Sequence, residues 1–152
     1  MSTKACGDLR IDPGSIPAEG IGHDLEIVVP LTEWSLTRAA LARVPVLAAG
    51  LNARVKLVAV HTVPYQAPFY CPSLVHARLV QQVMDLASEC ELPVEPQVVL
   101  ARSREEGLRH SLNGNSTVLL GSRRHWWRTR EESLARLLAA EGYRVALLHF
   151  DR

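Results

Sequence analysis

The 152-residue chain has no long apolar run, no surplus of one charge and no cysteine framework. Its longest apolar stretches are strand-sized, far short of the ~20 residues that span a bilayer, and the segment Met1–Gly7 lacks the apolar core of a secretory signal. A cytoplasmic protein without a membrane segment is the expectation. Seventeen Lys and Arg against sixteen Asp and Glu leave a net charge of +1. Neither a basic field for nucleic acid nor an acidic excess typical of disorder is present. Three cysteines, Cys6, Cys71 and Cys90, lack regular spacing and read as free thiols of a reducing compartment, with Cys90 buried on a helix face. Catalytic signatures are missing as well. There is no G-x-S-x-G elbow, P-loop lysine or G-x-G-x-x-G turn, and the six histidines are dispersed without metal-ligand spacing. The expectation is a non-enzyme with no metal and no resident cofactor, ATP or another nucleotide being the alternative.

Composition instead fits one globular domain, with 47% hydrophobic and 22% charged residues. Residues 1–23 hold Gly7, Pro13, Gly14, Pro17, Gly20 and Gly22 without periodicity and read as a flexible leader before a domain at 24–152. Strand and helix signals then alternate. Leu25–Leu31, Ala53–His61, Val94–Ala101, Thr117–Leu120 and Arg144–Phe150 read as strands. Ile27-Val28-Val29 is continuous rather than alternating, as in a strand covered on both faces. Helices are expected from about Ser35 to Ala49, broken or kinked at Pro45, and from a Ser73 cap to Glu91 with Val75, Leu79, Val83, Leu86, Ala87 and Cys90 as its stripe. Capping boxes at Ser103–Glu106 and Thr129–Glu132 open two more, the second burying Leu134, Leu137 and Leu138. Gly50 and Gly142 stop the first and the last helix. Five strands with four helices predict an α/β fold with a mainly parallel, doubly wound sheet.

Such sheets bind ligands beyond the carboxyl ends of the strands, where the strand order reverses. With order 3-2-1-4-5 the crevice lies between the first and fourth strands, lined by loops Thr32–Ser35 and Gly121–Arg128. A 2-1-3-4-5 order would move it toward Arg102. All three tryptophans, Trp34, Trp126 and Trp127, fall in the first pair of loops. As neighbours, Trp126 and Trp127 cannot both face one way on regular structure, so one is expected to anchor in the core or a lid.

At these loops the chain resembles a known family. Ile27-Val-Val-Pro-Leu-Thr-Glu-Trp-Ser35 looks like the Val-Pro-x-Asp-Gly-Ser start of universal stress proteins. Val58-Ala-Val-His61 is similar to their second strand, and Val118-Leu-Leu-Gly-Ser122 to their Val-Met-Gly-Ser turn. The resemblance covers roughly residues 25–150 and implies the adenine nucleotide alpha hydrolase-like fold of order 3-2-1-4-5. In the ATP-binding branch a G-x2-G-x9-G-[S/T] pattern lets backbone amides approach the phosphates. Gly121 matches its first position, while Arg124, Leu134 and Ala135 take the others and Thr32, with Glu33 adjacent, stands for the acidic residue after the first strand. The implied protein is a divergent UspA-like regulatory or stress-response module that does not bind ATP in the usual way.

Candidate ligand contacts are Thr32, Glu33, Trp34, His61, Gly121, Ser122, Arg123 and Arg124. Arg123, Arg124, Arg128 and Arg130 could hold an anion in place of backbone amides, which makes a nucleotide or phosphometabolite sensor the alternative function; a solvated basic loop is the plainer reading. Basic residues interleaved with aromatics superficially suit nucleic acid, but the patch is short. The last strand, Arg144–Phe150, is apolar on both faces and should end the sheet. An edge of that kind is usually protected by pairing, and the resembled family commonly dimerises there, so a homodimer through 144–150 is expected.

Overall fold

The computed structural model describes residues 9–11 and 25–151. Apolar triplets form its centre: Ile27-Val28-Val29 in β2 (Leu25–Pro30), Leu57-Val58-Ala59 in β3 (Ala53–Thr62), Val98-Val99-Leu100 in β4 (Val94–Ala101) and Val118-Leu119-Leu120 in β5 (Ser116–Arg123) are all buried. Side chains alternate across a strand, so each triplet feeds both faces of the sheet. On one face Ile27, Val29, Leu57, Val98 and Leu119 meet Ala40, Leu41 and Val44 of α1 (Trp34–Leu47) and Val83 and Leu86 of α2 (Ser73–Ser88). On the other, Val28, Val58, Val99, Val118 and Leu120 meet Leu108 of α3 (Arg104–Ser111) and Leu134 and Leu138 of α4 (Arg130–Ala140). Helices thus cover both faces, as expected of parallel strands joined by right-handed crossovers.

With β6 (Arg144–Phe150) at one edge and β1 (Leu9–Ile11) at the other, the order is β1-β4-β3-β2-β5-β6. Strands β2 to β6 are parallel and reproduce the expected 3-2-1-4-5 arrangement. The sixth strand was not expected. It falls inside the segment read as a leader and runs antiparallel to β4, Leu9 opposite Leu100 and Ile11 opposite Val98. The rest of that segment, Cys6 included, lies outside the described residues.

Local details differ from the sequence reading for identifiable reasons. α1 continues through Pro45 to Leu47. Proline removes one donor near the helix end, leaving the Leu41 carbonyl without its usual partner, and the Cys90 thiol donates to that oxygen at 3.7 Å. Cys90 is therefore half-buried rather than sealed in. Ser73 is the first helical residue of α2 and Pro72 takes the cap position, with no side-chain cap bond. Val75 and Leu137, expected inside, are exposed. Of the two capping boxes, only Thr129–Glu132 is reciprocal; Ser103 accepts from the Glu106 amide without a returned bond. The glycine stops hold, Gly50 and Gly142 having φ of 75° and 94°.

The amino end of the sheet contains a buried polar cluster. Glu26 on β2 accepts from Ser116 Oγ at 2.9 Å and Asn113 Nδ2 at 3.3 Å, and lies 3.4 Å from Lys56 Nζ on β3. Both charged side chains are about nine-tenths buried, 10% and 9% exposed. A pair so far from water is tolerated because hydroxyl and amide donors satisfy the carboxylate that the ammonium alone would leave half-solvated.

Candidate functional site

Strand order reverses between β2 and β5, whose carboxyl ends diverge into the 31–33 and 124–129 connections. This is where a doubly wound sheet opens a crevice. The fourth strand is longer than its apolar run. β5 runs on through Gly121, Ser122 and Arg123, in register with Leu148, His149 and Phe150 of β6, and the Arg124 amide donates to the Phe150 carbonyl at 3.1 Å. The segment expected as a phosphate-binding turn is therefore mostly strand. The polar triplet Gly-Ser-Arg gives no apolar signal, and pairing with β6 extends it.

Gly121 is retained for packing. A Cβ there would come within 2.7 Å of the Leu36 carbonyl oxygen and 3.1 Å of the Phe150 ring, so α1 can lie this close to β5 only against a bare backbone.

Alternation sends the next two side chains to opposite faces. Ser122 is fully buried on the α4 side, its Oγ 2.8 Å from Thr129 Oγ1. That places it behind the N-cap of α4 rather than in a ligand path. Arg123 goes to the α1 side, where Nη2 donates to Glu33 Oε1 at 2.5 Å and to Ser35 Oγ at 3.0 Å. Ser35 in turn donates to the same carboxylate at 2.6 Å. The Arg123 guanidinium and then the Ser35 hydroxyl hold the Glu33 carboxyl below its usual range, and Glu33 raises Arg123 in return. The two crevice loops are thus clasped by an ion pair across the switch point. Thr32 reinforces the near side, its amide donating to the buried Thr37 hydroxyl at 3.1 Å.

The remaining candidates do not converge on this clasp. Trp34 is the first residue of α1 and partly exposed. Trp126 and Trp127 pack against one another, centroids 4.8 Å apart and planes tilted by 39°, and are 87% and 67% exposed. Neither is the core anchor expected from their adjacency, because the 124–129 segment is irregular and both rings turn outward together. His61 is half-buried near the end of β3, opposite Leu100, and makes no hydrogen bond or ion pair with the other candidates among the described residues. Arg124 stands in solvent 3.9 Å from Asp151.

The four clustered arginines likewise serve different places. Arg123 joins the clasp and Arg124 faces Asp151. Arg128 and Arg130 line a separate open cleft of about 590 Å³ between the first turns of α3 and α4, with Arg104, Thr62, Thr129, Ser133 and one carboxylate, Glu105. Arg104, Thr62 and Ser133 carried no motif that marked them; only the crossover geometry brings the two helix starts together. Arg102, where the other strand order would place the crevice, is structural: it donates to the Pro64 and Ala67 carbonyls and stacks over Phe69. Among the described residues, no group of His, Cys, Asp and Glu is placed to hold a metal ion, and no helix is long and apolar enough to cross a membrane.

No protein-family model matches the chain, and no curated protein matches its sequence. Among solved structures it is similar to a protein of the universal stress protein family from Burkholderia pseudomallei. The two are 23% identical, with a TM-score of 0.55, over 84% of this chain and 96% of that one. This likeness shows a UspA-like α/β fold.

Proposed function

We propose that the protein is a non-enzymatic regulatory module of the universal-stress-protein kind, acting as a homodimer through β6 and not taking ATP between the β2 and β5 loops. One observation carries this reading: the Arg123–Glu33–Ser35 clasp spans the switch point. A phosphate entering there would have to displace a carboxylate from its guanidinium, beside a Gly121 backbone that is already packed on Leu36. The dimer reading rests on β6, where Val145, Ala146, Leu147, Leu148 and Phe150 remain half-exposed although β5 pairs with one side of the strand.

The alternative is a nucleotide or phosphometabolite sensor, which the sequence places in the β2/β5 crevice with Ser122, Arg123 and Arg124; with Ser122 buried and Arg123 paired to Glu33, the α3–α4 cleft suits an anion better. Arg104, Arg128 and Arg130 there form no ion pair among the described residues, and two helix starts add partial positive charge.

Calorimetric titration of ATP, AMP and cyclic dinucleotides, with light scattering at micromolar concentration, separates these readings. Flat titrations and a dimer mass support the module. Saturable binding abolished by Arg128→Gln with Arg130→Gln, but not by Arg123→Gln, supports the sensor at the cleft. A monomer mass contradicts the β6 dimer.

A further inference from the structure

The aromatic residues of this chain are confined to one end of the molecule. Seven of the eight, Trp34, Tyr65, Phe69, Tyr70, Trp126, Trp127 and Phe150, lie at or beyond the carboxyl ends of the parallel strands; only Tyr143 lies at the amino end. Phe69 and Phe150 are half-buried, Phe150 against Gly121, and the other five are exposed. Tyr65 is 77% exposed, Tyr70 63%, Trp126 87%, and the neighbouring Leu74 84%. The loop bearing Tyr65 and Tyr70 is pinned by Arg102 through the Pro64 and Ala67 carbonyls, so these rings are presented from a tied-down segment. Among the described residues, the large apolar side chains exposed at the opposite end are Val46, Leu47, Leu51 and Met84, none of them aromatic. Around the tryptophan pair, the segment Ser122–Arg130 carries four arginines; Arg123 is paired with Glu33 and Arg124 lies 3.9 Å from the exposed Asp151, while Arg128 and Arg130 form no ion pair among the described residues.

We infer that this end is a peripheral membrane-binding face, docking on an anionic bilayer surface with Trp126 and Trp127 at headgroup depth and Arg124 and Arg128 on lipid phosphates. This goes beyond the regulatory reading and does not depend on it. Three features select the bilayer. Indole and phenol rings partition to the headgroup layer because each has an apolar body and a polar edge. Arginines beside them gain from the negative surface potential of an anionic leaflet. The patch is a set of projecting side chains on separate connections, with aliphatic Leu74 and Val75 among them, and a yielding interface accepts that shape. Single-stranded nucleic acid would instead call for a basic groove with open ring faces, whereas Trp126 and Trp127 partly cover each other. No described helix can cross the bilayer, so binding is peripheral and reversible.

Flotation of the full chain with vesicles tests this. Binding is expected to phosphatidylcholine vesicles containing about one-third phosphatidylglycerol and not to phosphatidylcholine alone, and it should weaken as salt is raised. Bound protein should show a blue-shifted tryptophan emission, quenched by lipids brominated near the headgroup. Trp126→Ala with Trp127→Ala should lower vesicle affinity about tenfold or more, and Arg124→Gln with Arg128→Gln should remove the preference for anionic lipid. All four side chains are exposed, and an unchanged thermal midpoint confirms that the variants fold. Absence of vesicle binding, equal binding by the double tryptophan variant, or binding to a single-stranded oligonucleotide in place of vesicles would each overturn the inference.

Discussion

The two ends of this sheet each carry an ion pair linking neighbouring elements, in opposite surroundings. At the amino end Glu26 and Lys56 are about nine-tenths buried, and Ser116 and Asn113 complete the carboxylate's hydrogen bonds. At the carboxyl end Glu33 and Arg123 meet at closer range, but half in solvent, with side chains 51% and 38% exposed. Distance alone would rank the second pair as the stronger. Burial reverses the ranking, because removing one partner from water-excluded surroundings leaves an uncompensated charge, whereas solvent screens an exposed one. The amino end is built to hold. The carboxyl end, with its exposed rings and screened clasp, can change at little thermodynamic cost, which suits the end where such folds carry function.

Breaking the buried pair should give the largest effect. Lys56→Met alone is expected to cost about 3–5 kcal/mol in chemical denaturation, while Lys56→Met with Glu26→Leu should recover most of that loss. Next comes the close approach of α1 to β5. Gly121→Ala sets a methyl 2.7 Å from the Leu36 carbonyl oxygen, a backbone atom that cannot rotate away, and should cost about 1–3 kcal/mol by the same measurement. An unchanged stability would contradict this close packing.

Thr129→Ala removes the α4 cap and the partner of buried Ser122; a loss of about 1–2 kcal/mol is expected. The smallest effect belongs to the clasp. Glu33→Gln should leave the denaturation midpoint nearly unchanged. Because the folded carboxyl titrates below its ordinary value of 4.5, the clasp is fully formed above that pH and is lost as pH falls through the lower folded value. Tryptophan emission should therefore show an acid transition below pH 4.5 in the wild type that is missing in Glu33→Gln.

Where apolar pattern decides structure, the sequence was legible. Ile27-Val-Val, Val58-Ala and Val118-Leu-Leu are each buried in a strand, and the order expected for strands β2 to β6 is the one observed. The site was less legible because polar residues carry no such pattern. Gly121-Ser-Arg looked like a turn, yet hydrogen bonding to Leu148–Phe150 makes it strand. Two-residue alternation then sends Ser122 and Arg123 to opposite faces, a consequence readable only once the strand's length is known. Glu33 and Arg123, both candidate ligand contacts in the sequence, are each other's partner. Loop membership groups Trp34 with Trp126 and Trp127, but that pair packs on itself. Tyr65, Phe69 and Tyr70 became part of a pattern only when topology brought the strand ends together.

An ion pair, not a ligand, bridges the ends of β2 and β5 in this structure. A crystal structure grown with a millimolar excess of an ATP analogue, about a thousandfold above a micromolar Kd, tests it most directly. The predicted result is no nucleotide between residues 31–35 and 124–128, with Arg123 Nη2 still on Glu33 Oε1. Phosphate density beside Gly121, with Arg123 turned from Glu33 onto it, would contradict the claim.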